Sequence, residues 1–154
     1  SWYQAIAFCR WLSDKLDYEV DLPTEQEWEA AARYPDGRFY PWGNQFETTR
    51  ANTGEGESLG RTSPVGMYPG GSNEALELYD LSGNVWEWCR NKYGDPEDRA
   101  VDASGASRVV RGGSWFVSQD LARPAFRYLS LPADRYNDSG FRLVVRRPPS
   151  QIDH

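Results

Sequence analysis

Ala5, Phe8, Cys9 and Leu12 recur every three or four positions, with Arg10, Asp14 and Lys15 between them. That spacing predicts an amphipathic helix over 2–16 with these four residues turned toward a core. Leu22-Pro23 interrupts the period. Thr24 followed by Glu27 forms a capping box, in which hydroxyl and carboxylate satisfy opposite orphan amides. A second helix is predicted over 25–33, ending before Pro35-Asp36-Gly37, with Trp28, Ala31 and Ala32 inward.

From 36 to about 107 neither helical nor strand periodicity persists, and Gly, Pro and Asn punctuate the chain at Pro41-Trp42-Gly43-Asn44, Pro69-Gly70-Gly71 and Ser82-Gly83-Asn84. Loops this long inside a compact domain need anchors such as ions or aromatic plugs. Short strands are predicted at 85–89 and 107–111. A closing strand over 141–145 would alternate outward Arg142 with inward apolar residues. These elements predict a single α+β domain over 1–147, with two helices, small antiparallel sheets and long loops, and a frayed tail over 148–154.

Composition sharpens the picture. The 154 residues include seven Trp and nine Tyr, rings that anchor irregular loops by burying large area at low entropy cost. A net charge of −6 argues against a nucleic-acid-binding surface, and Arg142, Arg146 and Arg147 read as a solvated edge. No apolar run approaches the roughly 20 residues of a membrane span, so no membrane insertion is expected. The single histidine is His154 and no Cys-x-x-Cys occurs, which excludes common zinc and Cys/His nucleophile patterns.

Three phrases carry a resemblance: Leu22-Pro23-Thr24-Glu25-Gln26-Glu27-Trp28-Glu29, Gly83-Asn84-Val85-Trp86-Glu87-Trp88, and Arg111-Gly112-Gly113-Ser114-Trp115 with its downstream partner Gly140-Phe141-Arg142-Leu143. Together they resemble the formylglycine-generating, sulfatase-modifying family, which implies a C-type-lectin-like fold. In that family the opening Ser1-Trp2-Tyr3-Gln4-Ala5 phrase follows an N-terminal strand, which this chain is expected to lack. The family disulfide from the position of Cys9 meets Leu143 here. Two reduced, buried thiols are therefore expected, with a direct Cys9–Cys89 bridge as the alternative.

The resemblance implies structural Ca²⁺. Its first ligand set maps onto Asp80, the Gly83 and Val85 carbonyls, and Glu87. The second maps onto Asn52, the Thr53 carbonyl, Glu57 and the Leu59 carbonyl. Oxygen-only sets of this kind suit a hard cation. The alternative is that Asp80 and Glu87 simply accept loop amides. The first set is the preferred one, because its phrase matches more closely.

Catalytic family members carry two cysteines in the segment that runs here from Trp115 to Gly140, where this chain has none. The first such position falls on Val117. Copper(I) needs soft thiolates, so neither copper nor enzymatic activity is expected. Relatives that use iron do so through a histidine cluster in a partner domain, and the lack of histidines here argues against that chemistry.

The segment instead alternates fixed-looking points, among them Ala122-Arg123, Ala125, Arg127, Pro132, Arg135 and Asn137, with residues that follow no period. That layout resembles the variable proteins of diversity-generating retroelements, whose varied codons descend from adenine-containing templates. The candidate ligand-binding residues are Phe116, Val117, Ser118, Asp120, Leu121, Phe126, Tyr128, Leu129, Leu131, Tyr136 and Asp138. Rigid aromatics with adaptable polar neighbours have the composition of a paratope. Trp115 and Phe141 are expected to be core plugs. Arg123, Arg127 and Arg142 are expected to pair with acidic loop residues and stack on Trp. The expected function is display of a tunable surface to a protein or other macromolecular ligand. The alternatives are a family enzyme with an unrecognised site, or a carbohydrate-binding module.

Overall fold

The computed structural model describes residues 1–146; the expected tail at 148–154 lies outside the described residues. Helix α1 spans Trp2–Leu16 and is capped by Ser1, whose side chain accepts the Gln4 amide. Its buried face is Trp2, Ala5, Ile6 and Cys9, an i, i+3, i+4, i+7 stripe. The period is as expected, but the phase is turned. Phe8 is exposed and Leu12 only half-buried, because Trp2 and Ile6 take the core side. Helix α2 spans Glu25–Arg33 and opens with the predicted capping box between Thr24 and Glu27.

Two small sheets complete the domain. Strand β1 (Glu19–Asp21) pairs antiparallel with β6 (Val144–Arg146). The larger sheet has the order β4-β3-β2-β5, with β2 at Trp86–Lys92, β3 at Arg108–Arg111, β4 at Tyr128–Ser130 and β5 at Ser139–Gly140. β2 meets β3 antiparallel and β5 parallel. One core cluster joins α1 to this sheet through Trp2, Ile6, Trp86, Trp88 and Val110. A second joins α2 through Trp28, Ala32, Leu81, Cys89 and Val109.

The closing strand departs from expectation. It starts at Val144, and the alternation over 141–145 is broken: Leu143 packs on the core as expected, but Phe141 and Val145 are exposed and Arg142 turns inward onto Glu87. A buried carboxylate draws the guanidinium in more strongly than the core draws Phe141, whose ring rests against exposed Phe8.

Candidate functional site

The framework phrases form one knot of backbone hydrogen bonds beneath the 115–139 segment. Gly83 N–H donates to the Gly112 carbonyl, Asn84 N–H to the Asn52 carbonyl, and Trp115 N–H to the Asn84 carbonyl. Gly83 adopts φ +79°, and a Cβ there would meet the Asn52 carbonyl oxygen at 2.3 Å, so only glycine fits. Gly113, at φ +72°, lets Ala122 approach closely: its Cα lies 2.8 Å from where a Cβ would stand.

Glu25, buried at the start of α2, then staples the segment from below. Its carboxylate accepts Arg127 Nε at 2.6 Å and Arg111 Nη2 at 2.8 Å. Arg111 also donates to the Pro124 carbonyl. The expected arginine pairings are present, but the stacking partners differ. Arg123 lies over Phe39, Arg127 over Tyr93, and it is Arg108 that covers Trp2.

On this base the candidate binding residues divide. Phe116 is 73% exposed and Tyr136 59%, and Ser118, Asp120, Tyr128, Leu129 and Leu131 are also exposed. Val117, Leu121 and Phe126 are half-buried against the α1 core cluster, so they anchor the segment more than they display from it. Phe126 stacks between framework and display, 6.2 Å from Trp86 and 6.4 Å from Tyr128. Asp138 is half-buried and accepts the Ser114 hydroxyl at 2.8 Å. Trp115 is half-buried and Phe141 exposed, so neither is the core plug expected.

The exposed residues form two patches. Phe116, Ser118 and Asp120 lie beside the loop at 53–58, where Gly54 N–H donates to the Val117 carbonyl and Gln119 N–H to Glu55. Tyr128, Leu129, Leu131, Tyr136 and Asp138 instead surround a cleft of about 370 Å³ floored by Trp86 and Val110. Sheet order explains the gathering. Val110 pairs with Tyr128 on one side, Trp86 pairs with Ser139 on the other, and the loop between β4 and β5 closes the rim.

Five lining residues, Trp86, Val110, Ser130, Asp134 and Ser139, were not among the candidates. Trp86 sits on a strand buried on both faces, so alternation could not separate it from Trp88. Asp134 accepts both the Ser130 hydroxyl and the Leu131 amide. Its spacing after Ser130 and Leu131 is a local-turn signal that was available.

The calcium expectations fare unequally. At the first set, both Glu87 oxygens are engaged: Oε2 accepts Trp28 Nε1 at 2.6 Å and Arg142 Nε at 2.6 Å, and Oε1 accepts Arg142 Nη2 at 2.8 Å. Arg142 Nη2 also donates to the Tyr79 and Asp80 carbonyls, and Asp80 itself accepts the Gly66 amide. The Gly83 carbonyl accepts Val85 N–H. The Arg142 guanidinium thus takes both Glu87 oxygens, so an ion held by Asp80, Gly83, Val85 and Glu87 would have to displace it. Burial, reinforced by the nearby Glu87 charge, pushes the Asp80 carboxyl above its ordinary range despite the Gly66 amide and Arg142.

The second set fits better. Asn52 is buried, and its Oδ1 has no hydrogen-bond partner although Nδ2 donates to the Arg61 carbonyl. An unsatisfied buried acceptor calls for a donor or a cation. The Thr53 and Leu59 carbonyls and the Glu57 carboxylate, which is exposed, are the other donors expected in that set.

Cys9 and Cys89 are free and buried in different core clusters, as expected. Burial pushes the Cys9 thiol up to about 11 and that of Cys89 well above its ordinary value, which keeps both inert. No helix of the described residues is long and apolar enough to cross a membrane.

Comparison with known proteins bears on the fold and the family. The model of the sulfatase-modifying factor enzyme 1-like domain matches residues 1–147. The chain is 36% identical over 99% of its length to the bovine (Bos taurus) inactive C-alpha-formylglycine-generating enzyme 2, and covers 51% of that protein. It is 35% identical to hercynine oxygenase of Mycolicibacterium thermoresistibile over 94% of its length, covering 34% of that enzyme. The chain therefore spans about half or less of these relatives. Among solved structures, Treponema denticola variable protein 1 superposes with a TM-score of 0.81 at 28% identity, covering 95% of this chain and 69% of that one. The architecture is the expected α+β, C-type-lectin-like one. On the match across residues 1–147, the chain belongs to the sulfatase-modifying factor enzyme 1-like domain family.

Proposed function

We propose that this domain is a non-catalytic recognition module whose 115–139 segment presents a sequence-tunable surface to a protein or other macromolecular ligand. One observation carries the reading: buried framework residues alternate with exposed residues that packing does not demand. Gly113, Ala122, Pro124 and Pro132 are tied into the fold, while Phe116, Tyr128, Leu131 and Tyr136 project from it. Exposed aromatics grouped within a polar rim mark a binding site.

Similarity to a variable protein, and to a relative named inactive, supports the same conclusion. So does chemistry. No thiol lies between Trp115 and Gly140 to hold copper(I), and position 117 is valine. The similarity to an oxygenase favours an enzymatic alternative, but this chain's one histidine is His154. The role assigned to calcium is structural, at Asn52, Thr53, Glu57 and Leu59, bracing the loop beside Phe116.

The test is to identify a binding partner by cross-linking and mass spectrometry, then remeasure its affinity. With Phe116→Ala or Tyr128→Ala, affinity should fall while the melting temperature holds. Unchanged affinity in both variants, or copper-dependent oxidation of a cysteine peptide by the wild type, overturns the proposal.

A further inference from the structure

The cleft over Trp86 has a chemical bias that its role as a surface does not require. Three aromatic rings line it: Trp86 at the floor, Tyr128 on β4 and Tyr136 on the closing loop. Trp86 and Tyr128 are 5.4 Å apart and inclined at 31°, a tilted pair at one side of the cleft. Asp134 and Asp138 also line the cleft, and no lysine or arginine does.

Each carboxylate is held in place through one oxygen. Asp138 Oδ2 accepts the Ser114 hydroxyl, and Asp134 Oδ2 accepts the Ser130 hydroxyl and the Leu131 amide. Neither forms a salt bridge among the described residues, although fifteen ion pairs occur elsewhere in the domain. Two carboxylates fixed beside aromatic faces, with no basic residue lining the cleft, suit a positive charge.

Resting on the recognition reading above, we infer that this cleft receives a cationic side chain, lysine or arginine, from a protein ligand. The aromatic faces attract a cation through their quadrupoles, most strongly at Trp. The free carboxylate oxygens give the charge its direction and accept its N–H groups. The acidic balance of the whole chain, −6, draws a basic partner toward the face. Purely apolar ligand side chains would leave Asp138 desolvated and unpaired, which disfavours them.

The experiment is a ¹⁵N-¹H NMR titration of the domain with N-acetyl-argininamide and N-acetyl-lysinamide, with N-acetyl-citrullinamide as the neutral isostere. The cationic probes should give saturable shifts at the Trp86 indole N–H and the Leu129 and Ser139 amides, weakened by salt. Citrullinamide should not. Asp138→Asn should weaken binding about tenfold, equivalent to about 1.4 kcal/mol, and Tyr136→Ala, at an exposed position, should weaken it independently. Each spectrum also reports whether the variant is folded.

Equal shifts from the citrulline probe, shifts elsewhere on the surface, or no saturable shift with either cation would overturn the assignment. If the cations fail while Phe116→Ala and Tyr128→Ala still abolish partner binding, the cationic specificity falls and the recognition face stands. If the cations bind but those variants leave partner affinity intact, the recognition face falls instead.

Discussion

Arg142 grips Glu87 through two hydrogen bonds of 2.6 and 2.8 Å, joining the segment after β5 to the start of β2. Trp28 Nε1 completes the carboxylate's coordination from α2. One buried carboxylate thus holds three parts of the chain that lie far apart in sequence.

Removing either partner leaves the other charge desolvated. Arg142→Ala and Glu87→Gln should each cost about 3 kcal/mol in urea unfolding. The loss should be the same in calcium and in chelator, because Arg142 is the cation there. A loss seen only in calcium would restore the first ion site.

Calcium dependence should instead belong to Asn52. Adding calcium should raise the melting temperature of the wild type, since a ligand that binds only the folded state stabilises it. Asn52→Ala should abolish that rise. A rise that persists in the variant would place the ion elsewhere.

Display and anchoring residues should separate in thermal unfolding. Phe116→Ala and Tyr136→Ala are expected within about 0.5 kcal/mol of the wild type, as for exposed positions. Phe126→Ala should cost about 2 kcal/mol or more, because its ring packs on the core cluster.

The link between α2 and β6 should be acid-sensitive. Hydrogen bonds from Arg146 hold the Glu27 carboxyl below its ordinary value of 4.5. A depressed folded value means the pair stabilises the fold above the unfolded value and loses that contribution as pH falls through the folded one. The stability gap between wild type and Glu27→Gln should therefore be present at neutral pH and shrink as pH falls below 4.5. A gap that stays constant down to pH 3 would show that the pair contributes nothing.

Much of this was legible in the sequence where local rules decide. The capping box placed α2 at its observed bounds, and helical spacing placed α1. The exposure of Phe116, Tyr128, Leu129, Leu131 and Tyr136 followed from their lack of period. What failed depended on distant partners. Strand alternation put Phe141 inside, but Glu87, 55 residues from Arg142, turns that arginine inward instead. β4 and β5 are two or three residues long and exist through pairing with β3 and β2, so no local pattern announced them. The cleft between them was hidden for the same reason.

On the recognition reading, residues displayed from 115–139 vary over a constant framework. Deep sequencing of the codons for 111–143 across a natural population tests this. Substitutions should concentrate at 116, 118, 120, 128, 129, 131 and 136, at codons matching adenines in a nearby template copy, with Gly113, Ala122, Arg127 and Pro132 constant. Sparse variation spread evenly over framework and display positions would contradict it.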